Sequence, residues 1–514
     1  MLVAAGILLS RIAGLVRERA FAHAFGSSDA ADVFRAALRI PNLLQNLFGE
    51  GVLSASFIPV YSELSDRDPK MATRVAGVVL GVLSLVTSTL VLLGILSAPW
   101  LLDAIAPGFE GEKRDATVKL VRILFPGTGL LVFSAWCLGL LNSHRKLFIS
   151  YVAPVAWNAA IIAALLLIGG IEGEYEAVEY VAYGAVVGSF LQLIVQVPFV
   201  VPLVRGLRPR LDVANEHVRV VLRNFLPVLA SRGVVQVSAY VESMLASLLP
   251  AGAIAAMGYA QIVYTLPVSL FGMSVAAAEL PEMSRVAEAD LAAFKGRLEA
   301  GARRIAFFII PSAVSFVFLG DVISSVLFQT GKFTRGDGIV VWAILGASGL
   351  GLYASTQGRL VSSAFAAFKD TRTPLRFAIV RVVLSTSVGV ACALHGPRLL
   401  GFSAGFAVAG LALGTSVGAL AELVLLRRAL TRRVASVGVE SAHLAKLGLA
   451  ALLAAGGGYA VKALVGPDFV HPAVAGGLAL GAFGAIYGAA TLVLRIPEAN
   501  AVMGAILRRV RRRT

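Results

Sequence analysis

Long apolar runs recur from one end of this chain to the other, each about as long as the ~20 residues a helix needs to cross a ~30 Å hydrocarbon layer. About 14 can be drawn, at 3–25, 33–62, 74–103, 116–142, 148–170, 177–203, 225–249, 254–280, 303–328, 339–367, 373–395, 402–426, 442–464 and 473–495. Backbone N–H and C=O groups find no water in lipid, so each run must satisfy its own as helix. The sequence therefore predicts an all-α polytopic membrane protein with 14 transmembrane helices. Several runs exceed the bilayer, which predicts tilt, kinks or projecting ends. Composition agrees: 58% of the residues are hydrophobic and 15% charged, where soluble domains run near one half and one quarter. A water-soluble enzyme is excluded. Cys137 and Cys392 lie far apart inside apolar runs, which excludes a disulfide framework and a Cys-based metal centre. The first run carries Arg11, Arg17, Glu18 and Arg19 where a cleavable secretory signal needs an apolar core.

Orientation follows from the loops, because Lys and Arg collect on the cytoplasmic side. Arg67, Lys70 and Arg74, then Arg145 and Lys146, then Arg205, Arg208, Arg210, Arg219 and Arg223 fall in alternate loops. The alternation continues through Arg285, Lys295, Arg297, Arg303 and Arg304, then Lys369, Arg372 and Arg376, then Arg427, Arg428, Arg432 and Arg433. It ends at Arg508, Arg509, Arg511, Arg512 and Arg513. The intervening loops are poor in both residues, and one holds Glu172, Glu174, Glu176 and Glu179. An even number of spans with both termini cytoplasmic satisfies this pattern. The net charge of +15 then reflects basic loops facing anionic lipid rather than nucleic-acid binding.

The loop at 204–224 is the most polar stretch of the first half and divides the chain. Leu47-Phe48-Gly49-x-x-Val52-x-x-Ala55 returns as Leu270-Phe271-Gly272-x-x-Val275-x-x-Ala278, with Pro59 and Pro281 behind and Ser10-Arg11 matched by Ser231-Arg232 upstream. Chance recurrence of common apolar residues is the plain alternative. Six spans separate the copies, so they face the same way, as in transporters built from two parallel repeats. The expected organisation is an N-terminal six-helix lobe at 1–203, a cytoplasmic linker at 204–224 and a C-terminal six-helix lobe at 225–430. Two further helices at 431–496 and a basic cytoplasmic tail at 497–514 complete it.

In the second run, Asp32, Arg35, Arg39, Asn42, Asn46 and Glu50 fall within a sector about 80° wide at 100° per residue, with Gln45 beside it. Such a stripe cannot face lipid, where each buried charge costs several kcal/mol. Pro41, Gly49 and Gly51 suit a bent segment beside a cavity. The stripe either pins helices together through ion pairs, such as Arg17 or Arg39 on Glu50, or lines a hydrated anion site. Arg11, Arg17, Arg19, Arg35 and Arg39 outnumber Glu18, Asp32 and Glu50, and guanidinium forks suit a phosphate best. In the second half Arg232, Glu242, Arg359 and Arg381 lie in or near apolar runs. Arg359 and Arg381 snorkel to an interface in the plain reading. Glu242 either binds a coupling proton or sodium ion or pairs with Arg232, which makes Glu242, Arg232 and Arg359 candidates for coupling or gating. Gly410, Gly414 and Gly418, like Gly184 and Gly188, read as close helix packing.

Catalytic chemistry is not in evidence. His23, His144, His217, His395, His443 and His471 lack metal-ligand spacing, there is no Walker A loop, and no acids cluster for a metal-dependent transferase. No resident metal or cofactor is expected.

The segments Ser10-Arg11-Ile12-Ala13-Gly14-Leu15-Val16-Arg17-Glu18, Phe25-Gly26, Asp32, Arg39-Ile40-Pro41-Asn42-Leu43-Leu44, Phe48-x-Glu50-Gly51, Phe57-x-Pro59 and Glu63 resemble the MurJ (MviN) lipid II flippases. These belong to the multidrug/oligosaccharidyl-lipid/polysaccharide exporter superfamily. Phe125-Pro126, Leu141-Asn142-Ser143, Ala153-Pro154, Asn158, Leu327-Phe328-x-x-Gly331-x-Phe333-Thr334 and Asp370-Thr371-Arg372-Thr373-Pro374 extend the likeness, in order, over nearly the whole chain. The resemblance implies a flippase of the bacterial cytoplasmic (inner) membrane, serving peptidoglycan biosynthesis. It would move the undecaprenyl-diphosphate-linked precursor from inner to outer leaflet by alternating access. Its partners would be lipid II or a related polyprenyl-diphosphate lipid, the bilayer and other cell-wall synthesis proteins, with no nucleic acid. The resemblance also implies that the first two helices line a cationic cavity for the diphosphate. Arg17 matches a cavity arginine; Arg11, Glu18, Asp32, Arg39 and Glu50 match charged motif positions; Arg359 matches a basic position of the tenth span. The last two spans would form a groove for the lipid tail.

The chain departs from that pattern at Gln45 and Asn46, where relatives often carry an arginine pair, and at Ile262, where an arginine is usual. Arg35 and Arg232 are extra cations that would restore the charge. Ser385 and Gly389 stand where some relatives place sodium ligands, whereas Glu242 holds an often acidic position. The driving force is thus a proton or sodium gradient or the membrane potential, worth ~2.3 kcal/mol per charge per 100 mV. The alternatives are an exporter of another polyprenyl-diphosphate-linked glycan, a drug/cation antiporter, which needs an acidic cavity, and a non-transporting membrane scaffold.

Overall fold

The computed structural model describes residues 2–49, 53, 56–212, 215–287, 289–434, 437–465 and 472–511, and among these the chain is helical throughout, with one isolated bridge between Thr330 and Phe333. The first helices are α1 (Leu2–Phe25), α2 (Asp29–Phe48), α3 (Ile58–Arg67), α4 (Pro69–Leu96), α5 (Ala98–Ile105) and α6 (Gly111–Ser143). They continue as α7 (Leu147–Leu167), α8 (Glu174–Val200), α9 (Glu216–Ser247), α10 (Ala253–Pro267), α11 (Ser274–Val286) and α12 (Leu291–Phe328). The last are α13 (Arg335–Ala367), α14 (Arg372–Leu400), α15 (Ala407–Val434), α16 (Ser441–Val465), α17 (Pro472–Val493) and α18 (Pro497–Arg511). Among the described residues, 11 helical segments are long and apolar enough to cross a membrane. Against the 14 spans expected, the remaining three runs lie in α1, α2 and α9, the helices that carry the charges. Leu92, Leu93, Leu166 and Leu167 are more than half exposed, a surface that suits hydrocarbon rather than water.

Local sequence explains where these helices start and stop. Ser28 caps α2 by accepting from Ala31 N at 3.3 Å, with Asp29 and Asp32 in the first turn facing the positive end of the dipole. Asp68 accepts from Lys70 N and Met71 N at the start of α4, whose first residue is Pro69. Thr334 and Asp337 form a capping box on α13. The two repeat copies fall at different features. The first ends α2 at Phe48–Gly49, and the second lies on the π-helical turn Val268–Met273 that joins α10 to α11.

The chain divides into two units, Met1–Ala255 and Ala256–Thr514. The division lies one helix beyond the polar 204–224 loop, because α9 packs on α2, α4 and α5. In the first unit α6 is central and largely buried, flanked by α2, α4 and α8. Phe57, Tyr61, Val75, Val78, Trp136 and Leu140 fill its core, and α8 meets α7 at Gly184 and Gly188, against Ala164 and Trp157. In the second unit α14 lies on α15 along the glycine ridge, where a Cβ at Gly410 or Gly414 would run into the backbone of α14. The helices α16 and α17 pack on α12 around Phe307, Leu447, Ala451 and Tyr487, and Tyr487 Oη donates to Phe307 O at 2.6 Å. In lipid such hydrogen bonds are worth only about 0.6–2 kcal/mol each, so close packing carries most of the cohesion.

Candidate functional site

The helix α1 packs along α7 and α2 along α6, so their charged side chains reach one another across a short span. Phe21 sits on Phe34 with ring centroids 5.1 Å apart, and Glu18 extends to the same neighbour helix. The Glu18 carboxylate is buried and accepts from Arg17 and from Arg35 Nη2, the latter at 2.8 Å. Two guanidinium groups share one carboxylate, and the three side chains sum to a positive charge. Aromatic faces hold both arginines: Arg17 lies 4.8 Å from the Trp157 ring of α7 and Arg35 5.3 Å from the Phe21 ring. Their side chains keep 20% and 15% exposure, so neither is sealed from a ligand.

One turn further along α2, Arg39 lies 5.8 Å from the Tyr240 ring of α9, whose hydroxyl donates to the Arg39 carbonyl at 3.1 Å. Glu242 acts on Arg39 electrostatically. This carboxylate is therefore within electrostatic range of a cation of α2, an influence that sequence spacing along its own helix does not suggest. Asn42 and Gln45 are half-buried, Asn46 and Arg11 are exposed, and Glu50 and the side chain of Arg232 lie outside the described residues.

Asp32 is built differently from its neighbours on the stripe. It is 2% exposed, accepts from Gly252 N and Ala255 N at 2.8 Å each, and takes Lys113 Nζ at 3.0 Å. Lys113 also pairs with Asp29. The Asp32 carboxylate thus caps the start of α10 and ties α2 to α6. In the second unit Arg359 is exposed on α13. Arg381, read above as snorkelling, instead pairs with Glu422 of α15 at 3.0 Å. A Lys462–Asp321 pair joins α16 to α12. Sequence reasoning missed Lys113, Trp157 and Tyr240 because each reaches α1 or α2 from a distant helix, although Tyr240 stands only two residues before the conspicuous Glu242. Among the described residues, no three His, Cys, Asp or Glu side chains are placed to hold a metal. Chemically, the cluster offers donors to an anion and no nucleophile with a base beside it.

A family model described as lipid II flippase MurJ matches residues 21–474. The lipid II flippase MurJ of Burkholderia cenocepacia is 31% identical over 436 residues, 83% of this chain and 82% of its own length. The probable lipid II flippase MurJ of Haemophilus influenzae is 29% identical over 443 residues, covering 83% and 84%. Among solved structures, a lipid II flippase MurJ in an inward closed conformation matches with TM-score 0.78 at 24% identity, over 96% of this chain and 98% of that one. An inward-facing MATE multidrug transporter of the MOP superfamily matches at 0.62 and 18% identity, over 82% and 94%. These two show the fold, and the arginine–glutamate clasp on α1 and α2 lies in the part of the chain where the motif residues were densest. With the family model spanning most of the sequence and relatives this similar across four-fifths of both chains, the protein belongs to the lipid II flippase MurJ family.

Proposed function

We propose that this chain flips lipid II from the inner to the outer leaflet, and that Arg17, Arg35 and Arg39 carry the diphosphate. The observation behind the assignment is the shared Glu18. Diphosphate oxygens accept from guanidinium forks as a carboxylate does, so a bound diphosphate competes for contacts that Arg17 and Arg35 make with Glu18 in its absence. That gives ligand-bound and ligand-free states different interaction energies, which any ligand-driven conformational change requires. Arg35 supplies charge on the stripe where Gln45 and Asn46 replace the arginines common in relatives.

In the same proposal α1, α2 and α9 cross the membrane with the 11 apolar segments, giving 14 spans. Both termini are cytoplasmic by the distribution of Lys and Arg, in the inner membrane. The segment 431–496 takes the lipid tail, and other cell-wall synthesis proteins are partners. No cofactor is required. Transport draws on a proton or sodium gradient or on the membrane potential, with Glu242 the coupling candidate because it is an acid within electrostatic range of Arg39. A second reading, export of another polyprenyl-diphosphate-linked glycan, is favoured by the replacements at Gln45, Asn46 and Ile262 and uses the same arginines.

The test is growth of bacteria depleted of their own lipid II flippase. The chain should restore growth, and Arg17→Ala, Arg35→Phe and Arg39→Ala should each lower rescue by about 10-fold or more, the loss of one charge-assisted hydrogen bond. Failure of the wild-type chain to rescue favours the second reading. Rescue indifferent to all three substitutions overturns the assignment of the anion site.

A further inference from the structure

A second cationic feature of the N-terminal unit has no part in the flippase reading. Where α3, α4, the α6–α7 turn and the segment after α8 meet, they form an open cavity of about 640 Å³, within the range of small-ligand sites. Lys70, Arg74, Arg205, Arg208, Arg210 and His144 line it. The arginine-bearing segment is held there by its backbone. Arg210 N donates to Gly77 O at 3.3 Å. A Cβ on Gly77 would stand 2.5 Å from the Arg208 carbonyl oxygen, and one on Gly81 would meet that of Arg210 more closely still. Two glycines one turn apart on α4 therefore let residues 208–210 lie flat against the helix, and larger residues would push them off.

Charge in the cavity is one-sided. Arg74 pairs with Asp212 at 2.6 Å, but among the described residues no carboxylate stands within ion-pair distance of Arg205, Arg208 or Arg210. On another part of the wall Tyr61 Oη and His144 Nε2 form a 3.0 Å hydrogen bond, and Ser65 and Thr73 add hydroxyls. Guanidinium and ammonium groups beside hydroxyl donors suit a phosphate, whose oxygens accept from several donors at once. The basic groups lie in loops, or at the helix ends beside them, on the side that faces anionic lipid by the positive-inside rule. We propose that this cavity binds a phosphate-bearing ligand, a lipid headgroup or a soluble phosphate ester, at a site separate from the Arg17–Glu18–Arg35 cluster.

The experiment uses the full-length protein in nanodiscs and two arms. In phosphatidylcholine nanodiscs, inorganic pyrophosphate is titrated by calorimetry. In the other arm, phosphatidylglycerol is added to the nanodisc and retained lipid is counted by native mass spectrometry. Each arm compares wild type, the triple variant Arg205→Gln/Arg208→Gln/Arg210→Gln, and Arg285→Gln, an exposed arginine of the second unit outside both cationic sites, as a control. The three substituted side chains are exposed, and an unchanged melting temperature without ligand checks that the variant folds. The expected result is binding in at least one arm that weakens ~10-fold or more in the triple variant and persists in Arg285→Gln. Loss confined to pyrophosphate identifies a soluble phosphate ester, and loss confined to phosphatidylglycerol identifies a headgroup. Binding that is the same in wild type and triple variant in both arms, or absent from both, overturns the proposal. Neither result depends on transport, so it fails or stands apart from the flippase reading.

Discussion

At the scale of single residues, the charged stripe of α2 divides into groups with different work. Asp32 has a cation and two backbone amides on its carboxylate, whereas Arg35 shares Glu18 with Arg17 and keeps some exposure. Removing one partner of a buried, bonded charge pair costs on the order of 3 kcal/mol. Asp32→Asn should therefore lower the melting temperature by several degrees, by differential scanning fluorimetry in detergent, and should depress transport only as far as it depletes folded protein. Arg35→Phe leaves Glu18 its Arg17 partner, so it should lower the melting temperature less than Asp32→Asn while transport per folded protein falls. An Asp32→Asn variant as stable as wild type would contradict the capping role. Much of this could be read from the sequence: the stripe, its arginines and Glu18 stand out because charge in an apolar run is rare. What each residue bonds to was not legible. The partners of Asp32 lie 81, 220 and 223 positions away, and helical periodicity carries no information about a distant helix.

At the scale of elements, small residues and caps decide how helices meet. The ridge Gly410, Gly414 and Gly418 was legible as a packing face, and it is the seam between α14 and α15. At Gly414 a Cβ would collide with Gly389 N and Ser385 O. Gly414→Val should thus destabilise the second unit by about 1–3 kcal/mol, the usual range for overpacking, seen as a lower melting temperature. No change would mean the seam is looser than described. Between α13 and α14, Asp370 accepts from Thr373 N at 3.0 Å and Thr373 Oγ1 at 2.8 Å and pairs with Arg433 at 2.7 Å. The Thr373 hydrogen bonds, with Arg433 adding, hold the Asp370 carboxyl below its ordinary range. The unfolded chain then binds the proton first as pH falls, so this contribution is full above the ordinary carboxylate pKa of about 4 and is lost below it. The melting temperature of Asp370→Asn should fall less than that of wild type between pH 5 and pH 3; an equal or steeper fall would contradict the assignment. The motif residues 370–374 were visible in the sequence, but the Arg433 contact, 63 positions away, was not. The helix irregularities were half legible: Gly49 marks the end of α2, which runs on through Pro41, while Pro267 and Gly272 stand at the π-turn Val268–Met273 without specifying that form of turn.

At the scale of the whole molecule, the apolar runs anticipated nearly every long helix. Among the described residues 11 segments are long and apolar enough to cross a membrane, and the difference from the 14 expected falls on α1, α2 and α9. The charge inside α1 and α2 is what makes them the candidates of the proposal, since ionisable groups at membrane depth face protein or water. The division at Ala255 was not legible, because the polarity of the 204–224 loop says where the chain leaves the membrane and not which neighbours α9 will pack against. The central claim is that Arg17 and Arg35 hold the diphosphate of a lipid substrate. Its most direct test is the affinity of purified protein for lipid II, measured for wild type and for Arg17→Gln/Arg35→Gln. Two charge-assisted hydrogen-bonding groups at about 1.5–3 kcal/mol each predict a loss of about 100-fold or more in the protein that remains folded, at a lower melting temperature because the buried Glu18 loses both cations; equal affinity in a folded double variant would contradict the account.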